Sequence, residues 1–170
     1  MTRGPWRIAA ALALVLGVAA PARAMDVLPL GFDELVDRAA RIVHGTVREV
    51  TSGRDADGIP ATWITLDVAE CLKGRDERTV TIKQFGVEEP LADGTLLRLP
   101  GIPRYHAGDE VVLFLHEPSG RGFTSPVGLG LGFYRAERTA TGRAVRAARP
   151  TRAAEDLPAF LERIRRRAGR

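Results

Sequence analysis

The chain is 170 residues long, with 25 basic and 21 acidic side chains, a formal charge of +4 and one cysteine. A lone cysteine excludes an internal disulfide framework, so the fold must rest on buried apolar surface, and 45% apolar residues supply enough for a core. The basic excess is an end effect. Without Arg3, Arg7 and Arg23 the 25 basic residues become 22, and nine arginines lie within 143–170, so residues 25–142 hold 13 basic against 18 acidic side chains.

Residues 1–24 read as a secretory signal peptide: Arg3 and Arg7 precede an apolar run from Ile8 to Ala20, and Ala22-Arg23-Ala24 is a small-residue cleavage signal. The run falls short of the roughly 20 residues that cross a bilayer. The expectation is an exported chain, periplasmic or extracellular, with no transmembrane anchor after cleavage. The remainder divides into a domain over 25–150 and a basic amphipathic helix over 151–170.

In GFDELVDRAARIVHGTVREV, Phe32, Leu35, Val36 and Ala39 fall at helical spacing. That short helix feeds a strand in which Val43, Gly45 and Val47 share a face, and Gly45 predicts a bend or a close backbone approach. TSGRDADGIP is a turn. The run ATWITLDVAECLKG then alternates, with Ile64, Leu66 and Val68 on one face. Strict parity would bury Glu70 and expose Cys71, and one extra residue at Ala69-Glu70 reverses this, so a bulge is expected there.

RTVTIKQFG gives a third strand with Val80 and Ile82 inward. Residues 86–108, rich in glycine and proline, read as a long connection. EVVLFL is apolar on both faces, as a strand buried on both sides would be. Next, Leu129, Leu131 and Phe133 alternate with Gly128, Gly130 and Gly132, read as a glycine-rich strand, and TATG turns it onto RAVRA. In EDLPAFLERIRRRAGR, Asp156 is a helix cap, Pro158 sits in the first turn, and Leu157, Phe160, Leu161 and Ile164 form one apolar stripe.

These elements predict a mainly β fold: a five- to six-stranded Greek-key barrel of the OB type, with a short N-terminal helix and a C-terminal amphipathic helix. An immunoglobulin-like sandwich is the rival. The order DELVDRAARIVHGTV, TLDVAECLKG, GIPRYHAGDEVVLFL and GLGLGFYRA resembles a group of exported bacterial proteins. At greater distance it is similar to the netrin and tissue-inhibitor-of-metalloprotease modules, which are OB barrels. The resemblance spans most of residues 32–136 and lies in strand ends and turns, so it implies a fold rather than a chemistry. The animal inhibitors use an N-terminal cysteine and several disulfides. This chain has only Cys71, so their mechanism does not carry over.

No residue pattern announces a cofactor or a metal. Cys71 lacks a histidine at a recognisable distance and reads as a small buried apolar side chain; Lys73 is its only nearby cation. His44, His106 and His116 are far apart, with His44 expected to face outward. Asp55-Ala56-Asp57-Gly58 starts like a calcium loop, but its twelfth residue is Leu66, so an acidic turn is expected. The glycines at 128, 130 and 132 do not make a phosphate-binding fingerprint. The arginine-rich end hangs from an acidic domain with only Phe160 as an aromatic partner, which argues against nucleic acid.

The functional expectation is an exported, non-enzymatic protein-interaction or structural module that contacts another envelope or secreted protein. Loops on a rigid scaffold concentrate binding residues, so the surface falls on 86–108 with 51–60, where Pro100, Ile102, Pro103 and Tyr105 supply apolar contact. Two alternatives stand beside it. One is an inhibitor or accessory factor of an exported protease, implied by the resemblance alone; the other is a hydrolase built on His106, Asp109 and Glu110.

Overall fold

A computed structural model describes residues 30–140, 142–148 and 153–169; the expected signal peptide lies outside the described residues. Helix α1 (Phe32–Arg38) precedes strands β1 (Arg41–Arg54), β2 (Pro60–Lys73), β3 (Thr79–Phe85) and β4 (Glu110–Leu115). A 3-10 turn (Leu129–Gly132) leads to β5 (Phe133–Thr139), β6 (Gly142–Ala147), the two-residue β7 (Glu155–Asp156) and helix α2 (Leu157–Ala168). All seven strands form one antiparallel sheet in the order β3-β2-β1-β4-β5-β6-β7.

The mainly β expectation holds, but the sheet has seven strands and does not close into a barrel. A strand has two edges, and β5 uses one on β4 and the other on β6, leaving none for β3. β3 reaches across only through an isolated parallel bridge between Lys83 and Phe123.

The β1–β2 ladder shifts register three times, and one shift leaves Ala69 unmatched between Val68 and Glu70. This is the bulge the parity argument required. It returns Cys71 to the interior and leaves Glu70 half-buried. At Gly45 the neighbouring strand comes so close that a Cβ would stand 2.4 Å from the Asp67 carbonyl oxygen.

The glycine-rich run departs from its expected strand. Gly128 (φ 62) and Leu129 (φ 58) adopt left-handed backbone, incompatible with extension, and the strand begins only at Phe133. Gly132 is needed for close approach, since a Cβ there would meet the Val127 oxygen at 2.8 Å.

Two apolar clusters lie on the two faces of the sheet. On one, Val43, Val47, Ile64, Leu66, Ile82, Val111, Leu113 and Phe133 pack together with Tyr105 and no helical residue, so the sheet and the 86–108 connection cover that face themselves. On the other, Ile42, Leu72, Val112, Phe114 and Tyr134 meet Leu35 and Val36 of α1 and Leu157, Phe160, Leu161 and Ile164 of α2. β4 belongs to both, which is why EVVLFL is apolar throughout.

Helix α2 forms as its sequence directs: Asp156 accepts a hydrogen bond from the Ala159 N–H at 3.1 Å, and Gly169 closes the helix at φ 75. Its arginines are fasteners. Arg165 donates to both oxygens of Glu70 on β2, at 2.6 and 2.8 Å, and Arg167 pairs with Asp37 on α1. None of the helices among the described residues is long and apolar enough to cross a membrane.

Candidate functional site

The connection 86–108 is pinned to the sheet at both ends. The Gly86 N–H donates to the Pro60 carbonyl at 2.9 Å and the Gly108 N–H to the Val47 carbonyl at 2.8 Å, while Arg54 donates to Asp93 in the middle. It thereby arches over the end of β1–β3 and encloses a cleft of about 690 Å³.

The four residues expected to form one contact surface go separate ways. Pro103 and Tyr105 line the cleft and are buried, Tyr105 standing edge-on to Phe133 with ring centroids 5.1 Å apart. Ile102 is half-buried and lines a second, shallower groove with Phe85, Phe123 and Leu129. Pro100 stands exposed at the turn.

The shallower groove holds two side chains that sequence reasoning missed. Phe85 is 41% exposed and Leu129 38%; with Leu96 they are the large apolar side chains that the described residues expose. Phe85 and Phe123 meet edge to face at 5.8 Å, and the Lys83 ammonium lies 4.0 Å from the Phe123 ring centre. A signal for Phe85 was present in the sequence. With Val80 and Ile82 inward, parity turns Gln84 in and Phe85 out, an inversion of the usual polarity at a strand end.

That inversion also sets the chemistry of the cleft. Gln84 is only 4% exposed and Tyr105 only 7%, and neither Gln84 Oε1 nor Tyr105 Oη has a hydrogen-bond partner. Each such orphan costs about 1–3 kcal/mol. Burial pushes the Tyr105 hydroxyl far above its ordinary pKa, so it stays a donor. Beside them Thr62 donates to the Gly86 carbonyl at 2.8 Å, so the 3.1 Å contact with Ser52 takes the Ser52 proton and leaves Ser52 oxygen lone pairs free. At the rim, Arg104 pairs with Glu88 at 2.8 Å and Arg98 donates twice to the Glu88 backbone oxygen.

The residues of the hydrolase reading fall into two separate pairs. His106 lies 3.5 Å from Asp109, whose carboxylate also accepts from Arg135 at 2.8 Å. Glu110, on the next residue of an extended strand, points the other way and pairs with His44 at 2.7 Å and with Arg143. His44 is therefore not solvent-facing as expected: it is 8% exposed, because helix α2 and strand β6 cover that face.

Cys71 is buried, with its sulfur 3.2 Å from the Arg75 carbonyl oxygen. Lys73 is turned away to cap α1, donating to the carbonyls of Val36 and Asp37 at 2.7 and 3.1 Å. Asp55 spends its carboxylate on the Asp57 and Ile59 N–H groups and on Lys83, as a turn residue does. Among the described residues no three His, Cys, Asp or Glu side chains come together as metal ligands.

The surroundings of His44 predict an acid-sensitive fold. Burial first, and then the charge of Arg143, hold the imidazole below the ordinary 6.5; the Glu70 carboxylate pulls the other way without offsetting them. The neutral ring donates from Nε2 to Glu110. Above pH 6.5 both folded and unfolded chains carry a neutral ring, so this contribution is complete there. As pH falls below 6.5 the unfolded chain protonates first and stability declines. Glu70, held below its ordinary 4.5 chiefly by the Arg165 hydrogen bond, adds a further loss at lower pH. Urea midpoints of the wild type are expected to fall from neutral pH to about pH 5, and those of His44→Gln to stay nearly level across that window.

Set against known protein families, curated proteins and solved structures, the chain matches none.

Proposed function

We propose that the protein is an exported, non-enzymatic module that binds another protein of the envelope or medium through the groove of Phe85, Ile102, Phe123 and Leu129. The observation that carries this reading is the conformation of Leu129. Left-handed backbone costs a non-glycine residue about 1–3 kcal/mol, persists only where the surrounding structure enforces it, and clusters at functional sites; here it holds an apolar side chain 38% exposed beside Phe85. Export rests on the signal-peptide pattern of residues 1–24. An OB-related ancestry belongs to the same reading, supported by the order β3-β2-β1-β4-β5 and the parallel Lys83–Phe123 bridge, with β6 and β7 as additions.

Leu129 replaced by a photoreactive phenylalanine is expected to give one discrete cross-linked adduct in cells, reduced about tenfold by Ile102→Glu. An adduct that is an exported protease makes the module an inhibitor or accessory factor of it. Absence of an adduct, or one indifferent to Ile102→Glu in a chain that melts normally, would falsify the reading.

A further inference from the structure

The cleft over β1–β3 is separate chemistry from the protein-contact groove, although Gln84 lies behind both. We infer that it is a binding site for a small, neutral, polyhydroxylated molecule, a sugar or a polyol.

The first support is the pair of orphans. Buried polar groups are nearly always satisfied, and an exception calls for a water, an ion or a ligand. Here three such atoms lie on the lining of one cavity: Glu88 Oε2, which still faces Arg104 at 2.8 Å as an ion pair, and two with no partner of any kind, an amide oxygen that only accepts and a phenol that donates. A hydroxyl group does both, so a molecule carrying several hydroxyls answers Gln84, Tyr105 and the free lone pairs of Ser52 together.

The second support is charge. Tyr105 stays protonated, the Glu88 carboxylate is paired with Arg104 and Glu89 stands exposed to solvent, so the buried floor offers no uncompensated charge to an ion. Desolvating an ionised ligand against it would be strongly unfavourable. The third is size and texture. About 690 Å³ falls inside the range of about 300–1,000 Å³ typical of small-molecule sites. Val50, Leu91 and Pro103 give the apolar walls that the C–H faces of a sugar ring contact.

The test is a titration of the full chain, isotope-labelled, with glucose, N-acetylglucosamine, a disaccharide, myo-inositol and glycerol, with glucose 6-phosphate and lysine as charged controls. At least one neutral probe is expected to bind saturably, shifting the Gln84 side-chain amide and the Tyr105 backbone amide, while the charged controls do not. Tyr105→Phe and Gln84→Leu are each expected to weaken that binding about tenfold. Both remove an orphan and replace it with an apolar group, so the unliganded variants should melt at or above the wild type; Gln84→Met substitutes if the branched leucine disturbs the strand. No saturable shift with any neutral probe, binding unaffected by either change, or shifts centred on Phe85 and Leu129 would each overturn the assignment. A cleft that holds only water gives the first of these results. The Leu129 cross-link is unaffected by Tyr105→Phe, so the two readings fail independently.

Discussion

Gly45→Ala is expected to lower stability by about 3 kcal/mol or more, near the upper end for a single added methyl group. The reason is what the new Cβ would strike. The Asp67 oxygen at 2.4 Å and the Val68 Cα at 3.1 Å are both backbone atoms of β2, fixed in the ladder by their own hydrogen bonds, so neither can rotate aside. β1 is central, paired with β2 on one edge and β4 on the other, so a displacement there disturbs two ladders. Gly53→Ala is the control within the same strand. Its Cβ would meet only the Trp63 ring at 3.6 Å, an ordinary contact, and the change should stay within about 0.5 kcal/mol. Thermal melts of the two variants, compared with wild type, check both; equal midpoints would show that β1 and β2 are not packed so closely.

Phe160→Ala is expected to cost about 3–5 kcal/mol. Its ring is fully buried, with its centre 4.6 Å from that of Tyr134, 5.9 Å from that of Phe32 and 6.3 Å from that of Phe114, joining α2 to α1, β4 and β5 at one point. The cavity left cannot collapse easily, because its walls are two strands and a second helix. In contrast, Glu162→Ala removes only an exposed contact with Arg165 at 2.9 Å and should fall within about 1 kcal/mol. Denaturant unfolding monitored by circular dichroism separates the two; a small loss for Phe160→Ala would mean that the helix is merely appended.

Local features were legible from sequence where one force decided them. Helical spacing gave α1 and α2, and the conflict between Glu70 and Cys71 pointed to the Ala69 bulge. The glycine-rich run misled because alternation of leucine and glycine is the same whether the chain extends or turns; the left-handed conformations at 128 and 129 are fixed by tertiary contact instead. Barrel closure depended on whether β5 gave its second edge to β3 or to β6, a competition between distant segments that no local pattern reveals. The cleft was half-visible. The connection 86–108 was marked as the place, but the decisive side chain, Gln84, lies on a strand, and its inward turn shows only when parity is counted to the strand's last residue.

Helix α2 follows in the chain every large strand that it covers. A nascent polypeptide synthesised only as far as β6 would therefore have α1 alone over this face and leave the side of Phe114, Tyr134 and Val145 that α2 later covers open, a target for chaperones and for self-association.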